Sequence, residues 1–278
     1  MSADLDTWRT PRADIAPLLA RPLLGYELDE ADFSSWLIAA TSVLTLIINV
    51  EGSLQIADER LPDSWMTGIP EGPTVVAFEP PYHSLELKFT PAGARAILGL
   101  PLNELGGKIV GIADLLGRDG EELTARLQEA PSWEARFDLV EEFLARRAAD
   151  APPPTPVVGQ ALRRLRETEG RIRIGALAAE LNCSRRHLGA LFTSEVGLAP
   201  KAMARVLRFE ALARRLDESP AAWADIAVEC GYADQPHLNR EVRALAGVSP
   251  GELVSRRIRS GRTGDGLPFV QDRDGARF

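Results

Sequence analysis

Cysteine, histidine and methionine are scarce in this 278-residue chain, with two Cys, three His and three Met. So few thiols exclude a disulfide scaffold, and Cys183 and Cys230 read as small buried hydrophobes. Residues 1–150 contain one histidine, His83. A cupin-type metal centre needs several His and a carboxylate converging on one point, so no metal or other cofactor is expected. The same scarcity excludes most nucleophile triads, and no catalytic residue is expected; the chain reads as a non-enzyme. Gly106-Gly107-Lys108 lacks the spacing of a phosphate-binding loop. Long apolar runs are also missing: Val43–Val50 is too short to span a bilayer, and no signal peptide appears. The expectation is a cytoplasmic protein with no membrane partner.

Charge, by contrast, is plentiful and unevenly placed. Residues 1–150 hold 12 Lys and Arg against 25 Asp and Glu, a net of −13. Residues 151–278 hold 20 against 15, a net of +5, so the overall −8 hides a basic module joined to an acidic one. Between them runs Ala149-Asp-Ala-Pro-Pro-Pro-Thr-Pro156, whose four prolines favour a stiff extended connector. The expected division is a sensory or dimerisation domain at 1–150, a Pro-rich linker at 151–157, a DNA-binding domain at 158–260 and a tail at 261–278. The basic half is the part suited to meet a polyanion.

That half contains a repeated hairpin. Ile174–Pro200 and Trp223–Pro250 match: Leu188, Phe192, Gly197 and Pro200 recur as Leu238, Val242, Gly247 and Pro250, displaced by fifty residues. Each copy has a short apolar helix, a tight turn and a second helix rich in Arg, His, Gln and Asn, which is the grammar of a helix-turn-helix. Asn182 and Gly231 suit the left-handed turn position. Ser184 and Asp234 are the expected N-caps, and Pro236 falls in the first turn. Leu188, Leu191 and Phe192 form one inward stripe; Leu238, Val242 and Leu245 form the other. The candidate DNA-reading residues are Ser184, Arg185, Arg186, His187 and Ala190 in the first copy, and Asp234, Gln235, His237, Asn239, Arg240 and Arg243 in the second. Arg suits the guanine O6/N7 edge and Asn or Gln suits adenine, and near helix ends the same groups grip phosphates. Gly189 and Ala190 offer no long polar side chain, so the first copy reads as a phosphate-anchored partner of the second. The helix expected over 200–217 would be a rigid spacer, its Arg205, Arg208, Arg214 and Arg215 either gripping phosphates or forming a solvated face.

These residues resemble the AraC/XylS family of bacterial transcription regulators over roughly 157–259. The resemblance rests on LAAELNCSRRHLGALFTSEVGLAP, RFEALARRL and DIAVECGYADQPHLNREVRALAGVSPGEL. It implies about seven helices placing two recognition helices in successive major grooves of double-stranded promoter DNA. It also makes RNA polymerase a further partner.

The acidic half reads as strands followed by helices. Strand-like runs are Ser42–Val50, Ser53–Ile56, Thr74–Phe78 and Ser84–Phe89. Thr90 caps Pro91–Leu98; Ile112–Leu116, Glu121–Gln128 and Trp133–Arg147, capped by Ser132, follow. KFTPAGARAILGLPLNEL, IADLLG, APSWEARFDLVEEFLARR and PFVQD resemble the sensory domain of an actinobacterial-type branch of that family, which implies a cupin-like β-barrel followed by helices. The fold class is therefore α+β, a barrel or sheet with helices and then an all-α domain. Trp36, Trp65, Phe78, Tyr82 and Phe89, with His83 as polar handle, either fill the barrel or line a site for a small-molecule effector. Phe137, Val140, Phe143 and Leu144 form a stripe that either covers the sheet or pairs two subunits as a homodimer. A pure interaction module without ligand and an enzyme domain fused to a DNA-binding module are the competing readings.

Overall fold

The computed structural model describes residues 7–29, 35–149, 151, 153–218, 223–253 and 269–271. Among the described residues eleven strands, β1–β9 of them ahead of the first α-helix, form two antiparallel sheets. The larger contains β1 (Thr7–Arg9), β2 (Leu23–Leu28), β4 (Leu44–Glu51), β7 (Ser64–Thr67), β9 (Tyr82–Phe89) and β10 (Ile109–Gly111), in the order β1-β2-β9-β4-β7-β10. The smaller contains β3 (Ser35–Ile38), β5 (Leu54–Ile56), β6 (Glu59–Arg60), β8 (Thr74–Phe78) and β11 (Phe269–Gln271), in the order β11-β3-β8-β5-β6. Most of the expected tail lies outside the described residues, as do 254–260, but its PFVQD segment contributes β11, which pairs with β3.

Alternation along the strands divides the sheet's two faces. Leu44, Leu46 and Ile48 of β4, with Leu85, Leu87 and Phe89 of β9, enter a core shared with the helices. Ile47, Trp65 and Tyr82 point the other way and join Trp36, Leu54, Val76 and Phe78 in a second cluster between the sheets. The helices of this half are α1 (Pro91–Leu98), α2 (Ile112–Leu116), α3 (Arg118–Glu129) and α4 (Trp133–Ala148). Local chemistry sets their starts: Gly93 N–H donates to Thr90 Oγ1 at 3.0 Å and Ala135 N–H to Ser132 Oγ at 3.3 Å. Gly99, left-handed at φ 71°, ends α1.

Helix α4 covers the sheet. Trp133 lies against Gly25 and donates from Nε1 to Glu27 at 2.7 Å. Phe137, Val140, Phe143 and Leu144 are all buried in the chain's own core. Of the two roles left open for that stripe, these side chains take the first and cover the sheet of the subunit that carries them.

Helices α5 (Pro156–Glu167), α6 (Ile174–Glu180), α7 (Arg185–Val196), α8 (Pro200–Glu218), α9 (Trp223–Glu229) and α10 (Gln235–Ala246) make up the second half. It docks on the first at several points. Ala40 N–H donates to the Leu245 carbonyl at 2.7 Å. Glu210 of α8 accepts from Ser42 N–H at 2.7 Å, Ser42 Oγ at 2.8 Å and Thr41 Oγ1 at 3.3 Å. Glu195 of α7 accepts from Thr155 N–H at 3.0 Å and meets Arg95 at 3.6 Å.

A Cβ added at Gly25 would lie 2.6 Å from the Trp133 ring. Gly25→Ala is therefore expected to cost about 1–3 kcal/mol through overpacking. A denaturant midpoint equal to that of the parent protein would show that α4 is not held against β2 in this way.

Candidate functional site

Two helix pairs, α6–α7 and α9–α10, carry the candidate interface. In the first, Leu177 and Ala178 of α6 pack beneath Leu188 and Phe192 of α7, all buried. In the second, Ile226, Ala227 and Cys230 do the same beneath Leu238 and Val242. The turn residues take the left-handed conformation expected of them, Asn182 at φ 52° and Gly231 at φ 80°. Ser184 Oγ accepts from His187 N–H at 3.1 Å, and Asp234 from His237 N–H at 2.7 Å. Both second helices end on left-handed glycines fifty residues apart, Gly197 at φ 82° and Gly247 at φ 74°.

The outward faces differ in content. On α7, Arg185, Arg186, His187 and Ala190 are exposed, and a Cβ built on Gly189 would meet nothing within 4 Å. On α10, Gln235, Arg240 and Arg243 are exposed, while His237 and Asn239 are half-buried. Asn239, Arg240 and Arg243 stand where the first copy has Gly189, Ala190 and Thr193. Ser184 and Asp234 spend their side chains on capping. The His237 ring rests edge-on against Tyr232, 5.5 Å between centroids, and its Nδ1 faces Ala233 N–H at 3.4 Å. His237 thereby braces the start of α10.

Helix α8 ties the two pairs together through ion pairs. Arg214 and Arg215 reach Glu169, before α6, at 2.8 and 2.6 Å. Burial works against the Glu169 carboxylate, but the hydrogen bond from Arg215 and the charges of Arg215, Arg214 and Arg171 outweigh it and hold its pKa below the ordinary value. Arg205 and Arg208 reach Glu241 of α10 at 2.9 and 3.7 Å, and Arg208 donates to the Gly170 carbonyl at 3.1 Å. The four spacer arginines, open between phosphate contact and solvated face on sequence grounds, are engaged within the chain. Cys183 and Cys230 are both free thiols, and burial pushes the Cys230 thiol up.

The second site lies between the sheets. A cavity of about 620 Å³ is lined by Tyr26, Trp36, Trp65 and Tyr82, by Ile47, Leu54 and Val76, and by Lys88, Glu86 and Thr45 among others. Burial pushes the Tyr82 phenol upward, and it donates to Asn49 Oδ1 at 3.1 Å. Of the six expected residues, Trp36, Trp65 and Tyr82 line the cavity. Phe78 stacks behind Trp36, centroids 4.5 Å apart. Phe89 leaves β9 on the opposite face and enters the helix-side core. His83 also points away, meeting Asp29 at 2.8 Å and Glu51 at 3.3 Å. The sequence reading missed Tyr26, Glu86 and Lys88, although Glu86 and Lys88 share the parity of Tyr82 along one strand. Among the described residues no group of His, Cys, Asp and Glu could hold a metal, and no helix is long and apolar enough to cross a membrane.

Two capped helix-turn-helix units on a common spacer define a tandem helix-turn-helix protein. Residues 177–256 match the family described as "Helix-turn-helix domain". The chain is 36% identical over 81 residues to the HTH-type transcriptional regulator Rv1931c of Mycobacterium tuberculosis, covering 29% of this chain and 31% of that protein. It is 30% identical over 79 residues to the HTH-type transcriptional regulator MtrA of Neisseria gonorrhoeae, covering 28% and 26%. The chain thus spans about a third or less of the length of these curated relatives. Among solved structures, ToxT from Vibrio cholerae matches at TM-score 0.45 and 10% identity over 84% of this chain and 96% of that one. The C-terminal domain of AraT from Geobacillus stearothermophilus matches at TM-score 0.35 and 21% identity over 44% and 96%. The C-terminal region of this chain carries a helix-turn-helix domain.

Because Gly189 sits in open space within a helix, Gly189→Ala should stabilise the protein by about 0.5–1 kcal/mol. Asp234→Ala should lose about 1 kcal/mol with its cap. Thermal melts of the two variants check both, and a lowered melting temperature for Gly189→Ala would show the position to be packed.

Proposed function

We propose that this chain is a sequence-specific DNA-binding transcription regulator that presents α7 and α10 to successive major grooves and is controlled by a small molecule held in its N-terminal cavity. The observation that carries the DNA-binding part is the pair of capped helices, each braced from behind and exposed along one basic face. In this reading Arg240, Asn239 and Arg243 of α10 read base edges. Arg185 and Arg186, near the start of α7, hold phosphates. The unequal faces make the second helix the main source of specificity and the first an anchor. The basic half does the binding, and the acidic half limits non-specific attachment to DNA.

The cavity favours a sensor over a bare interaction module. A concave, aromatic-lined space with a few polar groups is the usual form of a small-molecule site. Cytoplasmic residence and contact with RNA polymerase follow from the proposed role.

Gel-shift titration against the promoter of the chain's own gene, at rising salt, tests the reading. Binding should exceed that to random DNA by about a thousandfold or more and fall steeply with salt. Equal binding to both DNAs would sink it. Arg240→Ala should cost about 1–3 kcal/mol and relax preference at one base position. Replacing Arg185 and Arg186 together should weaken binding to all sequences and reduce the salt slope by about one per lost phosphate contact. An unchanged slope would remove them from the phosphate backbone.

A further inference from the structure

The surroundings of the cavity bear on what fills it and where that filling is felt. Strand register lines up one polar end. Lys88 stands opposite Thr45, the β4–β7 register brings Thr45 beside Thr67, and Thr67 faces Ile109, next to Lys108. Arg21 joins this end because Ala20 N–H donates to the Lys88 carbonyl at 2.7 Å. Arg21, Lys88, Thr45, Thr67 and Lys108 all line the cavity. Among the described residues the lining holds the cations Arg21, Arg60, Lys88 and Lys108 against the carboxylates Glu59 and Glu86, the latter 3.3 Å from Lys88, an excess of positive charge with hydroxyl donors beside Lys88. Away from this end the wall is mainly ring-bearing and aliphatic, with Tyr26, Trp36, Tyr82, Ile47 and Val76, and also includes Ser84 and the charged pair Glu59 and Arg60.

The same cavity wall holds part of the DNA-binding half. Ala39, Thr41, Pro70 and Thr74 line the cavity. Between and beside them, Ala40 bonds the Leu245 carbonyl, Thr41 and Ser42 bond Glu210, and Pro73 abuts Gly247, where an added Cβ would lie 3.1 Å from its Cγ. Helix α8 and the C-terminal end of α10 therefore rest on segments that also bound the cavity. The first helix-turn-helix is held differently. Gly197 rests on the Leu102 carbonyl and Glu195 meets Arg95, and neither Leu102 nor Arg95 lines the cavity.

We infer that the cavity takes an apolar, ring-bearing organic anion, and that its occupancy is transmitted through 39–42 and 72–74 to α8 and the second helix-turn-helix, leaving the first as a fixed anchor. This rests on the sensor reading above. The ring-bearing portion sits against the aromatic wall, and the anionic group lies at the Arg21–Lys108 end. A population shift then requires only that the ligand favour one arrangement of the shared wall over the other.

The test uses the full chain and two fluorescent probes, 1-anilinonaphthalene-8-sulfonate and its uncharged counterpart N-phenyl-1-naphthylamine. Combined Arg21→Gln and Lys108→Gln changes should weaken the sulfonate probe by about tenfold and leave the neutral one unchanged. Hydrogen exchange with the sulfonate probe bound should change about fivefold or more at 39–42 and 243–248, and less than about twofold at 193–199. Ile56→Trp, which fills the cavity from a half-buried wall position, should abolish both responses while exchange at 193–199 reports an intact fold. Equal loss of both probes in the double variant overturns the anionic assignment. Probe binding with equal exchange changes in both helix-turn-helix units, or none, overturns the coupling alone. A signal surviving Ile56→Trp places the probe elsewhere and overturns the inference. If neither probe binds while DNA binding is intact, the sensor reading itself falls.

Discussion

Along β4 and β9, successive side chains leave the sheet on opposite faces, and the two faces carry different tasks. Leu44, Leu46, Ile48, Leu85, Leu87 and Phe89 build the core on which the helices rest. Thr45, Ile47, Glu86 and Lys88, interleaved with them, bound the cavity. Neither set could shift by one residue without exchanging apolar side chains for charged ones in the core. Helix α4 can lie close to this sheet because β2 places Gly25 beneath Trp133. The amphipathic stripe of α4 is consumed in covering the sheet, so this face is satisfied within one subunit.

The second dependence is the join between halves. Glu210 accepts three hydrogen bonds from one short segment, and Arg166 supplies the neighbouring charge; burial lowers the Arg166 pKa while Glu210 opposes that shift. A carboxylate in that setting needs all its partners, since a buried charge without them is costly. Ion pairs from α8 to Glu169 and Glu241 then carry the same rigidity outward to both helix-turn-helix units. The repeated left-handed glycines, Gly197 and Gly247, end α7 and α10 and also make room for the N-terminal half to approach.

Legibility from sequence followed the range of the interactions. Thr90, Ser132, Ser184 and Asp234 cap helices through bonds to residues three positions away, so their roles could be read locally. Strands β4, β5, β8 and β9 showed through their apolar runs, whereas β2 (LLGYEL) did not. It is covered on both faces and shows no alternation. His83 and Phe89 were attractive as aromatic neighbours of Tyr82, yet odd spacing along β9 sends them to the other face. Glu86 and Lys88 face the cavity between the sheets, a placement that depends on the pairing of distant strands.

The sequence by itself determined the tandem helix-turn-helix and its inequality. Helical period, capping residues and the fifty-residue repeat are properties of neighbouring positions, and Gly189 against Asn239 is a difference of composition. Only the tertiary structure decided which aromatic residues face the cavity, that the spacer arginines are taken up by Glu169 and Glu241, and that α8 and α10 rest on the cavity wall. Those outcomes depend on pairings between residues far apart in the chain, such as Ser42 with Glu210 and Ala40 with Leu245, for which local pattern carries no signal.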